Sequence, residues 1–369
     1  MLNKLKIDSK LLKEMDWTII ITSILILLYG ALNIYIASGP KNTKLQLLWL
    51  LLGLVVVYVI LLIDYSIIQN YVGILYWGSV AMLLSTRVLG TVVNGAKNWI
   101  AIGNRAIQPA EFAKLGMMLM LAKKIDQMEG NINNFKNIAT LAFYCAVPMI
   151  LIVVQPDMGM TMVCFFIALG ILFAAGLDMK VILGGLLSVV VAIMAVWPFI
   201  PGYMTRRITS FINPEGGDPD AALQLMQSQI GIGSGGFFGA GFNLRQNATS
   251  SYVSKFVPEA HTDFIFSVLA ENWGYIGAVI LLLLYGILVY KFIQTARESK
   301  DIFGSMICVG VASTFLFSIL QNIGMTIGIM PITGITLPLV SYGGSSVLTT
   351  FMSIGLVMNV SMRKKKIVF

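Results

Sequence analysis

Asp263 closes the run Pro258-Glu259-Ala260-His261-Thr262-Asp263, and a long apolar stretch opens directly after it. His261 is the only histidine in 369 residues. Ionisable groups at the mouth of a membrane helix are costly to keep there, so they are read first as functional. A carboxylate so placed can take a proton from a hydroxyl nucleophile, an effect worth about two to four decades in rate. The bland alternative is that Asp263 caps the helix that follows. His261 and Thr262 stand beside it as supporting candidates.

A second group begins at Asn94-Gly95-Ala96-Lys97-Asn98-Trp99-Ile100 and continues through Gln108-Pro109-Ala110-Glu111-Phe112-Ala113-Lys114. Proline in the first turn and a carboxylate near the positive end of the dipole are an ordinary helix start. That accounts for Glu111 but not for Lys114, which lies three positions on along the same face and is expected to pair with Glu111 or another partner. Gln155-Pro156-Asp157 reads first as turn chemistry. Gln227 leads into Gly231-Ile232-Gly233-Ser234-Gly235-Gly236-Phe237-Phe238-Gly239-Ala240-Gly241, glycine-rich enough for backbone amides to approach a ligand, or simply to turn a corner. No Walker lysine or flanking strand accompanies it, so a nucleotide loop is a weak reading. Pro331 through Ser346, containing Ser341 and Ser345, combines two prolines with Gly343-Gly344 at membrane depth. Such backbone is tolerated only when buried in protein or lining a wet cavity, so a re-entrant loop is expected.

The elements that must position these groups are membrane helices. Hydrophobic residues make up 57% of the chain, charged residues 11%, and mean hydropathy is +0.84, against about 25% charge in soluble domains. With roughly 20 apolar residues per span, ten segments qualify, approximately Trp17–Ser38, Leu45–Ile63, Tyr71–Arg87, Gln108–Leu121, Ile138–Gln155, Met158–Gly176, Val181–Phe199, Phe264–Phe292, Ile302–Gly328 and Ser345–Val360. The first is too long for a signal peptide and lacks a cleavage pattern. The expected architecture is an all-α polytopic membrane protein. A single domain covers 1–369, with residues 1–16 cytoplasmic, a large extracellular loop over 200–263 between the seventh and eighth spans, and a basic cytoplasmic tail over 361–369.

Charge supports that topology. Of 25 Lys and Arg, 15 fall on the side of the termini and 9 on the other, with Lys114 inside the fourth span, as the positive-inside rule requires. The outside cations, Arg206 and Arg207 among them, call for an anionic ligand. The net charge of +8 sits at span ends and does not indicate nucleic acid. Cys145, Cys164 and Cys308 lie in apolar runs without metal-type spacing.

Several motifs together resemble the SEDS family, the shape, elongation, division and sporulation proteins RodA and FtsW. They are Gln108-Pro109-Ala110-Glu111, Gln155-Pro156-Asp157, Gln227-Ser228 with Ile232 to Gly236, Pro258 through Phe266, and Asn322-Ile323-Gly324-Met325 through Ser346. Gln155 and the Ile-Gly-Met near Gly324 look more like RodA. The resemblance implies a ten-span peptidoglycan glycosyltransferase that polymerises lipid II, releases undecaprenyl diphosphate and uses Asp263 as its essential acid. It further implies a class B penicillin-binding protein and other elongation-complex membrane proteins as partners; the last spans are expected to present apolar faces for lipid or a partner helix. Asn98, Ala110, Met160 and Ala240 depart from the usual family residues.

The residues fit that chemistry. No loop is long enough for a nucleotide-sugar domain, so a donor must be lipid-borne. A sugar diphosphate leaves as a stable anion, so one base with nearby cations such as Lys114, Arg206 and Arg207 suffices. No cofactor is implied with certainty; a divalent cation, Mg or Mn, is one way to assist the pyrophosphate. A lipid II flippase or transporter is the alternative, although it should show ionisable groups near the midplane.

Overall fold

The computed structural model describes residues 9–93, 96–103, 105–196, 205, 211, 218–241 and 251–364. A short helix α1 (Ser9–Glu14) precedes α2 (Trp17–Ser38), α3 (Pro40–Leu62) and α4 (Tyr65–Leu89). Three strands follow, β1 (Gly90–Val93), β2 (Ala96–Ile102) and β3 (Arg105–Ile107), then α5 (Pro109–Gln127), α6 (Phe135–Val154), α7 (Met158–Ala174) and α8 (Met179–Val196). Beyond these lie α9 (Pro219–Ser234), α10 (Tyr252–Phe256), α11 (Ile265–Glu298), α12 (Ile302–Ile327) and α13 (Gly344–Ser361).

Each of the ten segments expected from hydropathy coincides with a helix. Seven of these, α2, α3, α4, α6, α11, α12 and α13, are long and apolar enough to cross a membrane by length and composition. The other three are less clear by that measure: α5 carries Glu111, Lys114, Lys123, Lys124 and Asp126, while α7 and the Met179–Ala192 part of α8 are shorter apolar helices. Starts are marked locally. Asp16, Asp64, Asn134, Asp157 and Asp301 each cap a helix through a side-chain oxygen, and Pro109 opens α5 where its missing N–H costs nothing.

The expected all-helical membrane architecture is present, with one small sheet added to it. The segment around Asn98 pairs as an antiparallel sheet in the order β1-β2-β3, with Thr91 opposite Trp99 and Ala101 opposite Ala106. Its strands are too short to announce themselves by alternation.

Within the bundle α12 is central, packing on α5, α7, α9, α11 and α13, while α13 lies along α3. The exposed residues of the late spans are apolar, Ile280, Leu283 and Ile287 on α11 and Leu316 and Leu320 on α12, although α12 and α13 are each 67% buried over their apolar windows. Large exposed apolar side chains also sit on α2, α3, α4, α6 and α8. At one end of the bundle Asp16 pairs with Lys291, Asp64 with Arg363 and Glu298 with Lys364. The starts of α5, α7, α11 and α13 converge at the other.

Candidate active site

Those four helix starts, with β2 and the loop between α12 and α13, enclose a cavity of about 300 Å³. It receives Gln108, Glu111 and Lys114 from α5 and its approach, Asp157 from the cap of α7, Glu259, Thr262 and Asp263 from the approach to α11, and Ser345 from α13. Residues as deep as Ser318 of α12 and Ser353 of α13 also line it, so it descends into the bundle.

On α5 the expected pair is present. Lys114 Nζ donates to Glu111 Oε2 at 2.7 Å, and Thr349 Oγ1 of α13 donates to the same oxygen at 2.6 Å. Glu111 is buried, so both donors offset the loss of water around its charge. Among the described residues Lys114 is the one cation lining the cavity.

Asp157 ties three elements together. Its Oδ2 accepts from Asn98 Nδ2 and from Gln108 Nε2, both at 3.0 Å, while Oδ1 accepts from the main-chain N–H of Met160 at 2.9 Å. Gln108 in turn donates its own N–H to Ser345 Oγ at 3.2 Å. Asn98 thus meets Asp157 with a neutral amide.

Asp263 is located through its backbone. Its N–H donates to the carbonyl of Glu259 at 3.1 Å, and its own carbonyl accepts from Asn322 Nδ2 at 2.8 Å. The N-cap position of α11 is Phe264, whose side chain makes no cap bond, so Asp263 stands one residue outside the place that the capping reading needs. The carboxylate faces the loop between α12 and α13: Oδ2 is 3.3 Å from where a Cβ on Gly334 would lie.

That loop, residues 328–343, is non-helical and buried over Leu337–Ser341. Asn322 Nδ2 also donates to the carbonyl of Ile335 at 2.7 Å, and Ser341 Oγ donates to the carbonyl of Thr262 at 2.6 Å while accepting from the N–H of Leu337 at 2.8 Å. Tyr342 N–H reaches the carbonyl of His261 at 3.0 Å. The loop and the approach to α11 are therefore bound into one unit.

The structure brings Gln108, Glu111, Lys114, Thr262, Asp263 and Ser345 to one cavity. Ser341 pins the loop from behind. His261 is half-buried, its ring 5.7 Å from that of Tyr342, outside the cavity lining. Burial holds its pKa below the ordinary 6.5, with Glu259 opposing. Gln227 bonds the hydroxyl of Tyr252, Ser234 donates to the carbonyl of Gly231 at 2.7 Å, and a Cβ on Gly235 would meet the carbonyl oxygen of Ala270 at 2.1 Å. The glycine-rich run thus serves close packing on α11 and does not reach the cavity. Arg206 and Arg207 lie outside the described residues. Asp157 and Glu259 line the cavity although sequence reasoning treated the first as turn chemistry and left the second without a role; the Gln-Pro-Asp spacing at the start of an apolar run was the available signal. Among the described residues no three His, Cys, Asp or Glu side chains gather to hold a metal ion.

The family of the cell-cycle proteins FtsW, RodA and SpoVE matches residues 16–366. Stage V sporulation protein E of Bacillus subtilis (strain 168) is 33% identical over 362 residues, covering 94% of this chain and 96% of that protein. Peptidoglycan glycosyltransferase MrdB of Escherichia coli (strain K12) is 32% identical over 355 residues, covering 95% of each. Among solved structures, a chain of a peptidoglycan synthase complex that coordinates polymerization and crosslinking superposes with a TM-score of 0.81 at 31% identity, over 94% of this chain and 97% of that one. The rod shape determining protein RodA of Thermus thermophilus gives 0.73 at 29% identity, over 95% and 98%. With a match across nearly its whole length, the same helical architecture and the motif residues gathered at one cavity, the chain belongs to the FtsW, RodA and SpoVE family.

Proposed function

We propose that the chain is a peptidoglycan glycosyltransferase that transfers the disaccharide-peptide of lipid II onto a growing glycan strand at the outer face of the bacterial cytoplasmic membrane, in a cell-shape or elongation role. The observation that carries the reading is Asp263, which lines one cavity with the Lys114–Glu111 pair. Relatives similar over nearly their full length bear the name peptidoglycan glycosyltransferase.

In this reading the Asp263 carboxylate takes the proton of the acceptor sugar hydroxyl as its oxygen bonds to the anomeric carbon of the donor. The bond from that carbon to the diphosphate oxygen breaks, and undecaprenyl diphosphate departs with the electron pair. One displacement inverts the anomeric centre. Because the diphosphate is already a stable anion, no second, protonated carboxylic acid is needed, unlike glycoside hydrolysis. Lys114 supplies positive charge where the leaving group develops its own, and Glu111 with Thr349 holds it there. Asp157 orients Gln108 and Asn98 on the opposite wall.

The cavity end of the bundle is the outer face in this proposal, and both termini are cytoplasmic. Similarity to a complex that coordinates polymerization with crosslinking supports a class B penicillin-binding protein as partner, together with other membrane proteins of the elongation complex. Purified chain incubated with lipid II should yield glycan polymer. Absence of polymer from folded protein, with lipid II moved between leaflets instead, would favour a flippase.

A further inference from the structure

Helix α11 breaks at Gly274, which has φ 66° and ψ −164° inside an otherwise helical run. The break frees backbone groups, and unpaired backbone within a bilayer is costly. The turn after α9 takes four of them. Ala240 N–H donates to the carbonyl of Glu271 at 2.8 Å and Gly241 N–H to that of Asn272 at 3.2 Å, while Tyr275 N–H donates to the carbonyl of Gly236 at 2.9 Å and Ile276 N–H to that of Phe237 at 3.2 Å. Only glycine allows the approach: a Cβ on Gly239 would meet Asn272 O at 2.2 Å, and one on Gly274 would meet Gly239 N at 2.3 Å.

The depth of this joint follows from two helices used as rulers from the charged end of the bundle. Trp273 Nε1 donates to Asn33 Oδ1 at 3.2 Å, and Asp16 pairs with Lys291, so α2 and α11 are anchored to each other at two levels. At about 1.5 Å per residue, Asn33 stands roughly 25 Å from Asp16 along α2 and Trp273 roughly 27 Å from Lys291 along α11. Both put the turn at about 25 to 27 Å, inside the far edge of a hydrocarbon core about 30 Å thick. Helix tilt would only reduce the figure.

At that depth Phe237 is 66% exposed, Phe238 81% and Tyr275 60%. The Phe237 ring lies 5.3 Å from that of Tyr275, and the patch continues down α11 through the exposed Ile276, Ile280 and Leu283. We propose that the last turn of α9 and the Gly235–Gly241 turn form a re-entrant element that dips into the cavity-side leaflet, with Phe237 and Phe238 packed among lipid acyl chains. The turn replaces the backbone bonds lost at Gly274 and anchors in lipid the layer that leads to Asp263. The inference rests on depth and exposure and does not depend on the proposed reaction.

The full chain, with Cys145, Cys164 and Cys308 replaced by alanine, is reconstituted in phosphatidylethanolamine–phosphatidylglycerol vesicles and spin-labelled at Phe238→Cys or, as a solvent control, at Lys255→Cys. The label at 238 should collide severalfold more often with oxygen than with a water-soluble nickel chelate, and the order should reverse at 255. Because removal of the cysteines can impair folding, Phe238→Trp in the native background is the second probe: lipids brominated on their acyl chains should quench the added emission. Chelate access at 238 equal to that at 255, or protection from both reagents as a covering partner or second copy would give, overturns the proposal. So does an added tryptophan that brominated lipid leaves unquenched.

Discussion

Asn322 donates through one side-chain nitrogen both to the main-chain carbonyl of Asp263, at 2.8 Å, and to that of Ile335, at 2.7 Å. The residue that carries the proposed proton transfer is thereby locked to the loop on the far wall of its cavity. Asn322→Ala would leave two carbonyls without that donor, at about 1–3 kcal/mol of stability. We expect a lower melting temperature together with a fall in polymerisation larger than the stability loss explains. Unchanged turnover in a destabilised variant would make the contact purely structural.

Asp263→Asn preserves size and removes the proton acceptor. Polymerisation should drop at least about a hundredfold, while protein level and melting change little. Because asparagine caps helices about as well as aspartate, a capping role would leave both measures near wild type. A fully active, folded Asp263→Asn enzyme would falsify the mechanism.

Lys114→Met removes the cation and strands buried Glu111 with Thr349 alone. Loss of one member of a buried pair costs about 3–5 kcal/mol, so activity and melting should both fall. Adding Glu111→Gln should recover much of the stability but none of the activity if Lys114 acts on the leaving group. Recovery of both in the double variant would reduce the pair to scaffolding.

His261 gives the pH test. Burial holds its folded pKa below the ordinary 6.5, so as pH falls through 6.5 the unfolded chain takes up the proton first and native stability declines until the folded value is passed. Melting temperature should therefore fall between about pH 7 and pH 5, and His261→Gln should lose part of that slope. An identical slope in the variant would assign the decline to other groups.

Gly334 has φ 69° and faces the Asp263 carboxylate. Gly334→Ala should therefore strain the backbone by about 1 kcal/mol or more and crowd Oδ2. A loss of turnover greater than the loss of substrate affinity is the expected kinetic signature; normal turnover would mean that the carboxylate does not work in the observed position.

Chain chemistry alone determined the helices and singled out the candidate acid. Runs of twenty apolar residues must satisfy their own backbone, so α2, α3, α4, α6, α11, α12 and α13 were legible one at a time, as was the pair Glu111 and Lys114, whose spacing of three is a local property of a helix. Asp263 stood out because a carboxylate beside an apolar run is costly anywhere. Tertiary structure alone decided the rest, since those outcomes depend on partners distant in the chain. Asp157 read as a turn residue until Asn98 and Gln108 arrived from other elements. The glycines from Gly231 to Gly241 suggested a ligand loop, yet Gly235 and Gly239 make room for the backbone of α11 at Ala270 and Asn272. A glycine states only that something comes close; which surface it meets is set by the packing of the whole bundle, where the largest buried area and the fullest backbone pairing win.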